Sequence, residues 1–144
     1  MPNPRIVMNT HTVKEYRNGV GESEQSLQAH VIEWVELHKF RFPELQLLYA
    51  IPNTAKRGKM NGWIMKLTGT RKGVPDLHLP VQSRDKRYIG LWIEMKSKRG
   101  VVSPEQRQWH EMLTTAGHKV IIHRSWTDAV NTFIDYLELD TPKL

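Results

Sequence analysis

The chain has 144 residues, with 21 Lys and Arg against 15 Asp and Glu, a formal charge of +6. Its 39% apolar and 25% charged residues exclude wholesale disorder, and its length suits a single domain with one core. The lack of cysteine excludes a disulfide framework, a Cys-ligated metal and a thiol nucleophile. Val120-Ile121-Ile122, the longest purely aliphatic run, is far too short to span a membrane, and Met1–Arg5 opens without an apolar leader. The expectation is a soluble cytoplasmic protein with no membrane partner.

Residues 1–21 are polar, carry Pro2, Pro4 and Gly19, and read as an N-terminal arm ahead of a domain over residues 22–144. Residues 23–40 predict a helix: Ser23 can cap it, and Leu27, Val31, Trp34, Val35 and His38 form one stripe. Residues 46–51 predict a first strand closed by Pro52-Asn53. Met60, Trp63, Ile64 and Leu67 have helical spacing and predict a short helix over 60–67, with Trp63 turned into the core. Residues 74–80 and 88–96 predict two strands joined as an antiparallel hairpin. Ser103-Pro104-Glu105-Gln106 predicts a sharp helix start with a capping box, and Gly117 stops that helix. Residues 119–124 predict a fourth strand, and Ser125 or Thr127 caps a last helix to about Leu139. The predicted order is αβββαβα.

The basic excess is concentrated. Residues 56–99 hold 12 Lys and Arg but only three acids, Asp76, Asp85 and Glu94, so this window is +9 and the remainder −3. A positive centre of this kind suits a polyanion. Side chains alternate along a strand, so Glu94 and Lys96 share one face, and a paired neighbour can place Asp76 beside them. Two converging carboxylates repel and lose solvation unless a cation joins them. Mg²⁺ is hard and keeps waters available for chemistry. Carboxylate, carboxylate and lysine in a basic window are thus the parts of a metal-dependent nuclease. The bland alternative pairs Asp76 and Glu94 with local Lys and Arg. Glu24 lies three residues before Leu27, near the buried stripe; its bland role is a first-turn acid favoured by the helix dipole.

Gly73-Val74-Pro75-Asp76, Ile93-Glu94-Met95-Lys96 and Ser103-Pro104-Glu105-Gln106 with Gly117 occur in the order and spacing that resemble the VRR-NUC family, a branch of the PD-(D/E)XK nuclease superfamily. The resemblance covers about residues 22–124. It implies an α/β, restriction-endonuclease-like αβββαβ core, with a mixed central sheet flanked by helices. It also implies Mg²⁺ or Mn²⁺ held by Asp76, Glu94 and the Met95 backbone carbonyl, with Lys96 catalytic. Glu24 and Gln106 match further family positions at the active site, which implies catalytic roles for both and makes Glu24 a further metal ligand; Asn53 matches one at the end of the first strand and is an expected DNA contact. The stand-alone form of the domain resembles homodimeric Holliday-junction resolvases. That implies branched DNA as partner and a role in repair, recombination or phage DNA processing.

Arg57, Lys59, Arg71 and Lys72 flank the expected site and are the leading phosphate contacts, followed by Lys98 and Arg99. Trp63 could otherwise stack on a base. The seven histidines show no His-x-x-x-His or His-Glu-x-x-His spacing and are assigned no functional role. Two other readings compete with the structure-selective nuclease: a non-catalytic nucleic-acid-binding module on the same fold, and a less selective nuclease.

Overall fold

The computed structural model describes residues 23–52 and 62–144. Asn53, Arg57 and Lys59, three of the expected DNA contacts, lie outside the described residues, as does the expected N-terminal arm.

Helix α1 (Glu24–His38) starts at Ser23, whose Oγ accepts from the Ser26 backbone N–H at 3.1 Å. Its stripe is buried at Leu27, Val31, Trp34 and Val35. The chain then departs from expectation. Pro43–Leu47 is a 3₁₀ turn, and strand β1 is only Tyr49–Ala50. Proline at the start of the turn fixes φ, and Leu45 is sunk in the core. That anchor coils residues that would otherwise extend, so pairing begins only after Leu48.

Helix α2 is short, Gly62–Leu67, and buries none of its residues. Trp63 is 64% exposed, which corrects the expected core position: the apolar spacing is helical, but nothing described covers that face. Strands β2 (Leu77–Leu79) and β3 (Leu91–Met95) pair antiparallel as expected, with Leu77 opposite Ile93 and Leu79 opposite Leu91. Both are shorter than the expected ranges 74–80 and 88–96. Helix α3 (Pro104–Thr115) leads to β4 (Lys119–His123), which lies parallel to β3, and α4 (Trp126–Leu137) follows. Ser125 is its cap, accepting from the Asp128 N–H at 3.1 Å.

Among the described residues the sheet is mixed, in the order β1-β2-β3-β4. One face packs on α1 and α4: Leu77, Leu79, Leu91, Ile93 and Met95 meet Leu27, Val31, Phe133 and Leu137. Alternation sends Trp92, Glu94 and Lys96 to the other face, where α3 lies over β3 and β4. All five residues of β3 are buried because both faces are covered. A chemical group at the end of β3 therefore sits on a rigid element with little solvent around it. No helix among the described residues is long and apolar enough to cross a membrane.

Candidate active site

The site forms where β2 begins and β3 ends. Antiparallel register puts Asp76, one residue ahead of β2, beside Glu94, and the Asp76 Oδ2 accepts from the Met95 N–H at 2.8 Å. Glu94 is 1% exposed and Lys96 7%. The Lys96 Nζ lies 3.5 Å from the Glu94 Oε1 and 3.8 Å from the Glu24 Oε1. Asp76, Glu94, Lys96 and Glu24 thus converge as expected from the sequence.

Two glycines permit that convergence. Gly73 has φ +93°, and a Cβ there would stand 2.6 Å from the Glu105 carbonyl carbon and 2.9 Å from the Gln106 nitrogen. Only glycine lets the loop before Asp76 touch the first turn of α3. At Gly100 a Cβ would lie 2.8 Å from the Glu24 Oε1, so its absence leaves room for Glu24 to reach Lys96.

Gln106 uses both ends of its amide. Its Oε1 accepts from the Ser103 N–H at 2.9 Å, completing the capping box, and its Nε2 donates to the Glu94 Oε1 at 2.8 Å. The capping role and the active-site role coexist in one side chain.

His110, one turn further along α3, was given no role by the sequence. Its Nε2 lies 3.9 Å from the Glu94 Oε2, and both atoms are buried without a hydrogen-bond partner. Burial, and then the Lys96 charge, push the His110 pKa down, so the ring is neutral at neutral pH. The signal was its i+4 spacing from Gln106, which puts the two on one helix face. Arg124 was also missed. It donates to the carbonyls of Ser97 at 2.7 Å and Gly100 at 2.8 Å, fixing the turn that carries Lys98 and Arg99.

The carboxylates are held at an electrostatic cost. Burial, and then the charge of Asp76, push the Glu94 pKa up to about 8. Burial also raises that of Asp76, against the lowering effect of the Met95 N–H. Lys96, 3.5 Å from Glu94, sets one positive charge against two carboxyls whose pKa values are both raised. The residues present fit a hard divalent cation: a buried Glu94 and a half-buried Asp76 side by side, with the Glu94 Oε2 unpartnered. No group of three or more His, Asp or Glu among the described residues is placed to hold a metal ion by itself. Asp76 and Glu94 would supply two carboxylate donors, a set that suits an ion keeping several waters, as Mg²⁺ does.

Arg71 and Lys72 are exposed and line a cavity of about 530 Å³ that reaches Asp76 and Gln106. Lys66, which the sequence did not single out as a contact, also lines it. Lys98 and Arg99 are exposed on the turn after β3.

A mixed sheet flanked by helices, with Pro-Asp entering one strand and Glu-x-Lys ending its neighbour, defines a nuclease-type α/β fold. The VRR-NUC domain model matches residues 16–126. The chain belongs to the VRR-NUC family. It is similar to a solved structure described as a "VRR_NUC domain protein", with 25% identity and a TM-score of 0.67 over 83% of this chain and 91% of that one. No curated protein matches it.

Proposed function

We propose that the protein is a Mg²⁺- or Mn²⁺-dependent DNA endonuclease that hydrolyses phosphodiester bonds in branched DNA. The observation that carries this reading is a fully buried Glu94 beside a half-buried Asp76, both with raised pKa values, and a lysine 3.5 Å from Glu94. A protein without chemistry to do at that spot gains nothing from two raised carboxyls.

Asp76, Glu94 and the Met95 carbonyl would hold the cation, with Glu24 beside them. When bound, the cation supplies Lewis acidity, easing deprotonation of a water and offsetting charge at phosphorus. The chain's own residues do the rest. Lys96 orients the attacking water or stabilises the growing negative charge on the phosphate oxygens. Gln106 fixes one oxygen of Glu94 by donation, which leaves the Oε2 facing outward from that bond. Glu24, 3.8 Å from the Lys96 ammonium, holds it toward the site. The basic residues Arg71, Lys72, Lys98 and Arg99 draw the phosphate backbone in.

Branched DNA and a homodimer are supported by the family resemblance: two copies related by a twofold axis bring two sites to a symmetric junction.

Purified protein with Mg²⁺ or Mn²⁺ should cut at least one of single-stranded, duplex, flap, splayed or four-way junction DNA. Lys96→Ala should abolish cutting while DNA binding stays measurable. Wild-type cutting by Lys96→Ala would refute the mechanism. Absence of divalent-cation binding by calorimetry would instead favour a non-catalytic DNA-binding module.

A further inference from the structure

The cavity beside Asp76 has a composition that the cleavage chemistry does not require. Its walls include Ile51, Met65 and Val74, and its remaining lining includes the cations Lys66, Arg71 and Lys72. A phosphate alone has no use for the apolar wall, and a metal has no use for the cations. The volume, about 530 Å³, falls in the range of sites that enclose a small organic ligand. A flat apolar ring attached to an anion satisfies both parts of the lining.

Stacked duplex DNA cannot supply that ring. Its base faces are covered by neighbours, and it presents phosphates and groove edges to a protein. A nucleotide removed from the stack can enter a recess, losing stacking but gaining apolar contact. We infer that the cavity receives an unpaired nucleotide next to the scissile phosphate, its base against Ile51, Met65 and Val74 and its phosphate on Lys66, Arg71 and Lys72. This rests on the nuclease reading and narrows its substrate to DNA with an unpaired nucleotide at the cut. It also makes recognition tolerant of base identity. The wall assigned to the base, Ile51, Met65 and Val74, offers no side-chain N–H or O–H to read a base edge.

The test pairs substrate and protein changes. A splayed or flapped DNA is prepared with an abasic residue at each position flanking the cut in turn. At one of these positions the wild type should lose on the order of tenfold in kcat/KM, mainly through KM. Met65→Trp, which fills the recess, should lose a similar factor on the intact DNA and little more on the abasic one. Losses that simply add, or a wild type indifferent to every abasic position, overturn the inference. A circular-dichroism melt checks the fold of Met65→Trp. If it is unfolded, Met65→Ala, which withdraws the apolar contact to the base instead of filling the recess, takes its place in the same comparison.

Binding in EDTA separates this inference from the nuclease reading. The probe is a 2-aminopurine base placed at the flanking position. Its fluorescence should rise when the wild type binds and stay low with Met65→Trp. If no DNA is cut with either metal, the nuclease reading falls, and the fluorescence alone decides the cavity: a rise abolished by the filled recess upholds the nucleotide site, and no rise refutes it.

Discussion

Replacing Glu94 by Gln should stabilise the metal-free protein, and by an amount that grows with pH. The carboxyl titrates near pH 8 when folded and near 4.5 when free. A raised folded pKa means that the native state holds the proton more tightly, so its contribution is complete below the unfolded pKa and is lost as pH climbs toward the folded one. Each pH unit in that window removes about 1.4 kcal/mol of stability. At about pH 7 the wild type has therefore lost roughly 3 kcal/mol that Glu94→Gln keeps, or on the order of 10 °C in Tm for a chain of this size. The glutamine retains the oxygen that accepts from Gln106, so the hydrogen bond and the packing survive. His78, His110 and His123 all have pKa values lowered by burial and act with the opposite sign, adding stability as pH rises toward 6.5. The informative readout is thus the Tm difference between the two proteins, in EDTA, from about pH 5 to 8. It should widen steadily with pH. A constant difference, or one that shrinks, would show that Glu94 is not held protonated by its surroundings.

Other substitutions probe the supports of the site. Gly73→Ala must adopt φ near +93° and drive a Cβ into the α3 backbone; thermal unfolding should show a loss of at least about 1–3 kcal/mol, and cleavage should fall with it. Ser103→Ala removes the hydroxyl cap of α3 but leaves the Gln106 contacts with the Ser103 N–H and Glu94. It should cost about 1 kcal/mol in a denaturant titration with kcat nearly intact. His110→Phe keeps the ring volume but loses the nitrogen facing the Glu94 Oε2; calorimetry should show weaker Mn²⁺ or Mg²⁺ binding with little change in Tm. Phe133→Ala empties the core between α4 and the sheet and should cost about 3–5 kcal/mol by the same titration.

The elements that local chemistry dictates were legible in the sequence. Ser103-Pro-Glu-Gln announces a helix start, and the capping box is present. The alternation along Leu91–Met95 put Glu94 and Lys96 on the face opposite Ile93 and Met95, and antiparallel pairing did bring Asp76 to them. What stayed hidden depends on distant partners. Residues 46–51 have strand composition, yet Leu45 is claimed by a core assembled from α1, β2, β3 and α4, and that anchor sets where the 3₁₀ turn ends. Trp63 has helical spacing, but spacing says nothing of whether a surface covers it. His110 belongs to no metal-binding pattern of its own; its importance comes from Gln106 one turn earlier, which is visible only once Gln106 is known to reach Glu94.

The double use of Gln106 has a consequence for what can stand at that position. At an ordinary capping box, glutamate and glutamine are interchangeable, because only the side-chain oxygen is needed. Here the far end must donate a hydrogen, and a carboxylate has none to give. Gln106→Glu would leave the start of α3 in good order while placing a third acid against two whose pKa values are already raised. The helix would tolerate the exchange and the active site would not, so a position that is permissive for folding is fixed by what it touches across the sheet.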